Sequence, residues 1–408
     1  MTEHSVRQKY EFSWDDLDVI VGGKSAIDST QGFSVRGRDE ADQYLRSYGV
    51  DLENPIDRAV AMGNFQESLS FIRRNFLKPD NPDGIRCEVP RKITELTDIR
   101  DLFLLASQGP DGPQASYLRS FACSILKVMH TVAHIDQDLR TPYFADIQKQ
   151  ILDRYYRAIH RDEDGRLFLG DRPDDPLRVD LEAFETKPKK TRESTLLKLL
   201  HKPENVAEDI FDRVGIRFVT KTRLDALRVV KFLKDRWLVT PSNIKPSRSR
   251  NTMVDIDDFR TQMQEVLAMS DRGELDESAA REKLEGAAHP ASAPRDNRFS
   301  SEHYRAIQFT ARQVIRWVHP LYDDFRELKR ESKSGNLPEN VQRLLDRMDL
   351  KFLQREVKFF YPYEVQIMDH EGFEESERGR SAHSEYKRAQ VQAAMRRVLG
   401  PLVDASRS

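Results

Sequence analysis

Two cysteines in 408 residues, Cys87 and Cys123, are too few for a disulfide framework or a zinc knuckle. A reducing compartment suits such a chain, and the expectation is a cytoplasmic protein. No apolar run approaches the roughly 20 residues of a helical membrane span. The first residues, MTEHSVRQKYEFSWDDLD, are charged and lack the apolar centre of a secretory leader. Nor does one sign of charge prevail: 66 basic against 68 acidic residues leave a net charge of −2. That balance argues against a generic nucleic-acid binder, so local clusters must carry any anion binding. No repeat recurs at a fixed period.

What is present is polar and helix-leaning, with 33 % charged and 38 % hydrophobic residues. The length allows two or three domains. Over 1–175 the stretches FQESLSFIRRNFL and SYLRSFACSILKVMHTVAHI carry apolar residues at three- and four-residue spacing, predicting helices. NPDG and GPDGPQ read as turns. HRDEDGRLFLGDRPDDP, residues 160–176, reads as a polar turn with a short strand and a domain boundary. Beyond it the pattern becomes mixed: TRESTLLKLLHK a helix, GIRFVTK a strand, LDALRVVKFLKDRW an amphipathic helix. The pattern fades over 257–300, where SAAREKLEGAAHPASAPRDNRFSS is rich in Ala, Ser, Pro and charge and the second half of that stretch reads as a flexible loop or insertion. YRAIQFTARQVI is a strand, DDFRELKRESKSGNLPENVQRLLDRMD a charged helical excursion, and HSEYKRAQVQAAMRRVLG a closing helix.

The strand YPYEVQIMD, residues 361–369, sets a physical problem. Tyr361, Tyr363, Val365 and Ile367 alternate onto one face, and Glu364, Gln366 and Met368 onto the other. A carboxylate in so aromatic a strand is costly to desolvate unless something positive meets it. A strand cation would serve. So would a Mg²⁺ ion shared with Asp212, since Mg²⁺ takes one or two protein carboxylates plus phosphate oxygens. Arg217 lies in the strand after Asp212, with Gly215 between them allowing close backbone approach. Lys187, Lys189, Lys190 and Arg192 precede a helix start, an unfavourable place for cations unless an anion such as a polyphosphate binds there. Lys245, Arg248 and Arg250 add a further basic stretch. His383, Tyr386 and Lys387 stand within about one helical turn.

The order Lys190-x3-Ser194-x3-Lys198, Asp212-x4-Arg217, Tyr304-Arg305-Ala306-Ile307, Glu364-Val365-Gln366-Ile367 and Ala382-His383-x2-Tyr386-Lys387 resembles the synthetase domain of the RelA/SpoT family. The resemblance covers about 185–395. It implies an α+β chain: a helical N-terminal domain over 1–175, then a mixed-sheet nucleotidyltransferase domain flanked by helices over 176–400, with an insertion at 257–300. It implies transfer of pyrophosphate from ATP, the donor, to the 3′-hydroxyl of GDP or GTP. By the same resemblance Asp212 and Glu364 would hold Mg²⁺, and Glu364 would also suit activation of the acceptor hydroxyl. Lys190, Ser194, Lys198 and Arg217 would line the donor phosphates. Tyr304 would stack on the acceptor base, and His383 and Lys387 would contact phosphates.

Departures cluster on the acceptor side. The family usually has Gly where His303 stands and His where Gln308 stands, and its longer enzymes have a Lys and an Asn ahead of the position of Tyr304. Other acceptors therefore stay open, the tRNA 3′ end or an adenine nucleotide, as does a non-catalytic nucleotide sensor. In the helical half, His130 and His134 at i, i+4 followed by Asp136 have chelating spacing. The adjacent His-Asp pair of the family's hydrolase is missing, and a domain that packs on or regulates the other half is the expectation. IVGGKSAID is read as a turn.

Overall fold

The structure is a computed structural model and describes residues 19–22, 25–28, 35–107, 112–138, 143–187, 191–201, 213–290, 305–319, 321–333, 338–347, 355–378 and 383–405. Among the described residues a short 3-10 helix (Ala26–Asp28) is followed by the α-helices α1 (Arg38–Ser47), α2 (Pro55–Phe76), α3 (Arg91–Thr94), α4 (Ile99–Ser107) and α5 (Pro113–Asp136). Then follow α6 (Phe144–Tyr156), β1 (Ile159–Arg161), β2 (Leu167–Leu169), β3 (Val179–Lys187), α7 (Arg192–His201), β4 (Gly215–Thr220) and α8 (Arg223–Asp235). The chain continues through β5 (Arg250–Asn251), α9 (Ile256–Asp271), α10 (Glu277–Ala287), β6 (Ile307–Val318), α11 (Tyr322–Lys333) and α12 (Glu339–Arg347). It ends in β7 (Glu356–Asp369), α13 (His370–Arg378), α14 (His383–Leu399) and α15 (Pro401–Ala405). The fold is thus α+β, and among the described residues no helix is long and apolar enough to cross a membrane.

Local chemistry sets several helix starts. Asn54 accepts the Ile56 amide ahead of Pro55, and Thr222 accepts that of Asp225. Asp276 does the same for Ala279 and opens α10. SAAREKLEGA is rich in strong helix formers and has a capping Asp, which outweigh its weak apolar pattern. Residues 291–300 lie outside the described residues.

Apolar periodicity buries two cores. The first gathers side chains from Ile27 to Ile135, mostly of α1–α5, and adds Leu196, Leu199 and Leu200 of α7 and Ala394, Met395, Val398 and Leu399 of α14. The second joins α6, with Ile147, Ile151 and Tyr155, to the sheet and to α8. The two cores therefore do not divide at residue 175. α6, β1 and β2 precede that point yet lie in the second core, while α7 and α14 follow it and return to the first.

The seven strands run in the order β1-β2-β3-β4-β7-β6-β5. β4 and β7 pair in parallel, and every other neighbour is antiparallel. One face is apolar: Ile216, Phe218, Phe309, Ala311, Tyr363, Val365 and Ile367 all lie in the second core. The Tyr155 and Tyr363 hydroxyls meet at 2.9 Å within it.

Candidate functional site

Alternation along β7 turns Glu364 and Gln366 to the sheet face opposite the apolar one. Register then decides their neighbours. Gly215 stands opposite Glu364 and Arg217 opposite Gln366. On β3, Lys187 pairs with Gly215 and Glu185 with Arg217. On β6, Thr310 stands opposite Glu364 and Gln308 opposite Gln366, and Arg250 of β5 stands opposite Gln308. The cations of three separated sequence stretches thus come to one face around a single parallel strand pair.

Glu364 is 9 % exposed. Lys187 reaches its Oε2 as an ion pair, and the Gln308 amide donates to its Oε1 at 2.5 Å. Its backbone N–H donates to the Val214 carbonyl at 2.9 Å. Lys187 lies two strands away, so its side chain must pass over β4. Gly215 permits this, because a Cβ there would lie 2.6 Å from Lys187 Cδ. Arg217 sends Nη1 to Glu185 and to Glu377, each at 3.1 Å, and Nε to Gln366 at 3.3 Å. Its guanidinium sits 5.7 Å from the centre of the Phe373 ring on α13.

The expected residues fall in different places. Glu364 and Arg217 share this face. Ser194 and Lys198 are half-buried on α7, whose first turn is capped by Thr191 Oγ1 accepting the Ser194 amide at 3.2 Å. Lys387 is exposed on α14, and His383 is the first residue of that helix. Asp212, Lys190 and Tyr304 lie outside the described residues. Lys187 closes β3 and does not belong to a loop before α7, because β3 extends to pair with Gly215. Arg192 starts α7, and the anions it meets are Glu67 and Asp136, which removes the need for a polyphosphate at that residue.

For a divalent cation the carboxylates among the described residues at this face are already engaged: Glu364 by Lys187 and Gln308, and Glu185 and Glu377 by Arg217. No group of three or more His, Cys, Asp or Glu gathers as a metal site among the described residues. At the other proposed chelate, the His130 and His134 rings stand edge to face with centroids 4.4 Å apart. His130 Nδ1 bonds the Tyr48 hydroxyl at 2.8 Å. Burial, aided by His134, pushes the His130 pKa down to about 4, so the ring is a neutral core group at neutral pH.

Lys187 was visible in the sequence only as one of several basic residues, and Gln308 only as a departure from a family pattern. The signal that joins them to Glu364 is strand register, which no local stretch contains. Comparison of the chain with protein-family models, with curated proteins and with solved structures gave no significant match.

Proposed function

We propose that the chain is a Mg²⁺-dependent nucleotide pyrophosphokinase with a RelA/SpoT-like nucleotidyltransferase sheet. It would move pyrophosphate from ATP to the 3′-hydroxyl of a guanine nucleotide. One observation supports the reading above the rest: Glu364, Lys187, Arg217 and Arg250 come from four strands to one polar face beside the sheet's parallel pair. Asp212 precedes Val214 by two residues in sequence, and the Val214 carbonyl accepts the Glu364 amide. Asp212 and Glu364 would hold Mg²⁺, which would neutralise charge developing on the β-phosphate and the departing AMP. Lys190, Ser194, Lys198 and Arg217 would take the donor phosphates, Tyr304 the acceptor base, and His383 and Lys387 further phosphates. In this reading Lys187 exchanges Glu364 for a phosphate oxygen.

A second reading, a non-catalytic nucleotide sensor, is favoured by one specific feature: both Glu364 oxygens already have partners. Incubation with labelled ATP, Mg²⁺ and a panel of GDP, GTP, ADP and tRNA separates the two. Release of AMP with a pyrophosphorylated product, abolished by Asp212→Asn in a folded protein, supports the enzyme and names the acceptor. Binding of ATP without turnover supports the sensor. Turnover that survives Asp212→Asn removes the metal assignment.

A further inference from the structure

The C-terminal end of α5 carries two acids, Asp136 as its last residue and Asp138 just beyond. Carboxylates there oppose the partial negative charge of the helix's terminal carbonyls. Arg192, the first residue of α7, is misplaced in the opposite sense, a cation at a helix N-terminus. Each arrangement is unfavourable within its own helix, and tertiary structure resolves both. Arg192 donates Nη1 to Asp136 Oδ1 at 2.5 Å and Nη2 to Oδ2 at 2.9 Å. Its Nε and Nη2 reach Glu67 of α2 at 2.5 and 3.0 Å. Asp138 takes Arg213 Nη1 at 2.9 Å, and these side chains are only 5 % and 12 % exposed. The neighbouring Glu193 carboxylate accepts from Asn75 of α2 at 2.6 Å.

The two arginines bracket one stretch of chain. Between Arg192 and Arg213 in sequence stand Ser194 and Lys198, assigned above to the donor phosphates, and Asp212, assigned to Mg²⁺. We infer that Asp136 and Asp138 are positioning residues: one helix end of the N-terminal bundle holds Arg192 at the start of α7, and with it the helix that carries Ser194 and Lys198, and also holds Arg213, two residues ahead of β4. This inference rests on the proposed function for its catalytic consequence, but the grip itself does not depend on it. The bundle is then part of the site's framework, since α7 also buries Leu196, Leu199 and Leu200 in the bundle's core. The bidentate pairing of Arg192 with Asp136 fixes orientation as well as distance, while Arg213 meets Asp138 through a single ion-pair contact.

The test uses the full chain with Asp136→Asn and Asp138→Asn together, which keeps side-chain shape and removes charge. Amide hydrogen exchange should accelerate about tenfold or more over α7, with β4, β7 and α2 unchanged. The KM for ATP should rise about tenfold with kcat within about threefold. Asp136→Asn paired with Arg192→Gln should lose less than the sum of the two single variants, the remainder being the Arg192–Glu67 pair. Unchanged exchange over α7 overturns the inference. So does an even loss of protection across the chain, which would mean a purely structural role. If the wild-type chain neither binds nor turns over ATP, the proposed function fails, and the exchange pattern alone still decides the grip.

Discussion

Lys187 and Glu364 form an ion pair across a strand that belongs to neither of them. β4 lies between their strands, and at the crossing point it contributes Gly215. The absence of a side chain there is what lets the lysine stem lie flat over the sheet. This contact and the Gln308 amide give both oxygens of Glu364 a partner within an aromatic strand.

Gly215→Ala should therefore separate the pair. The new methyl group would sit 2.6 Å from Lys187 Cδ and 3.0 Å from Cγ, so the stem must lift away. The expected cost is about 1–3 kcal/mol, the usual range for overpacking. In a Lys187→Ala background the same substitution should cost under about 0.5 kcal/mol, because Gly is itself unfavourable inside a strand. Urea unfolding of the four proteins in this cycle measures the difference. Equal costs in both backgrounds would show that Gly215 serves something other than the lysine.

His130 gives the protein a pH dependence of known sign. Its pKa falls from 6.5 to about 4 on folding, chiefly through burial. Above about pH 6.5 the ring is neutral in both states and the stability is fully present. As pH falls towards 4, the unfolded chain takes up a proton that the folded one refuses, and stability drops by about 3 kcal/mol in total. Unfolding free energies from pH 7.5 to 4.5 should slope less steeply in His130→Gln than in the wild type. Parallel slopes would assign the dependence to other groups.

Tyr363→Phe should cost about 1–3 kcal/mol, the penalty for leaving a buried hydroxyl unpaired. The group stranded is that of Tyr155, whose partner at 2.9 Å is Tyr363. Adding Tyr155→Phe should recover part of the loss, since both polar groups are then gone. Thermal or urea denaturation of the single and double variants reads this directly, and strict additivity would deny the contact.

A fragment of residues 176–405 should not fold by itself. It lacks α6, whose Ile147, Ile151 and Tyr155 complete the sheet's core, and it strips the bundle from the apolar sides of α7 and α14. Exposing that much buried surface removes a driving force of about 25 cal/mol for each Å². Circular dichroism with a denaturant titration is sufficient: a cooperative transition in the fragment would refute the division of the cores described above.

The sequence by itself determined most of the elements. Apolar spacing marked the N-terminal helices and α8. Two-residue alternation marked β7 and the aromatic face that Tyr361, Tyr363, Val365 and Ile367 bury together. The pattern faded over α9 and α10, because a surface helix with few apolar residues has little periodicity to show. What Glu364 meets was a different kind of question. The sequence could pose it, since a buried carboxylate must be compensated, but it offered a strand cation and a metal as answers. Only the tertiary structure decided that Lys187 and Gln308 stand there, and that Asp136 and Asp138 meet Arg192 and Arg213. Strand order, register and helix docking bring together residues 56 to 177 positions apart, and these depend on the whole folded chain. Propensity and periodicity act over a few residues, so they fix elements and leave partners to the fold.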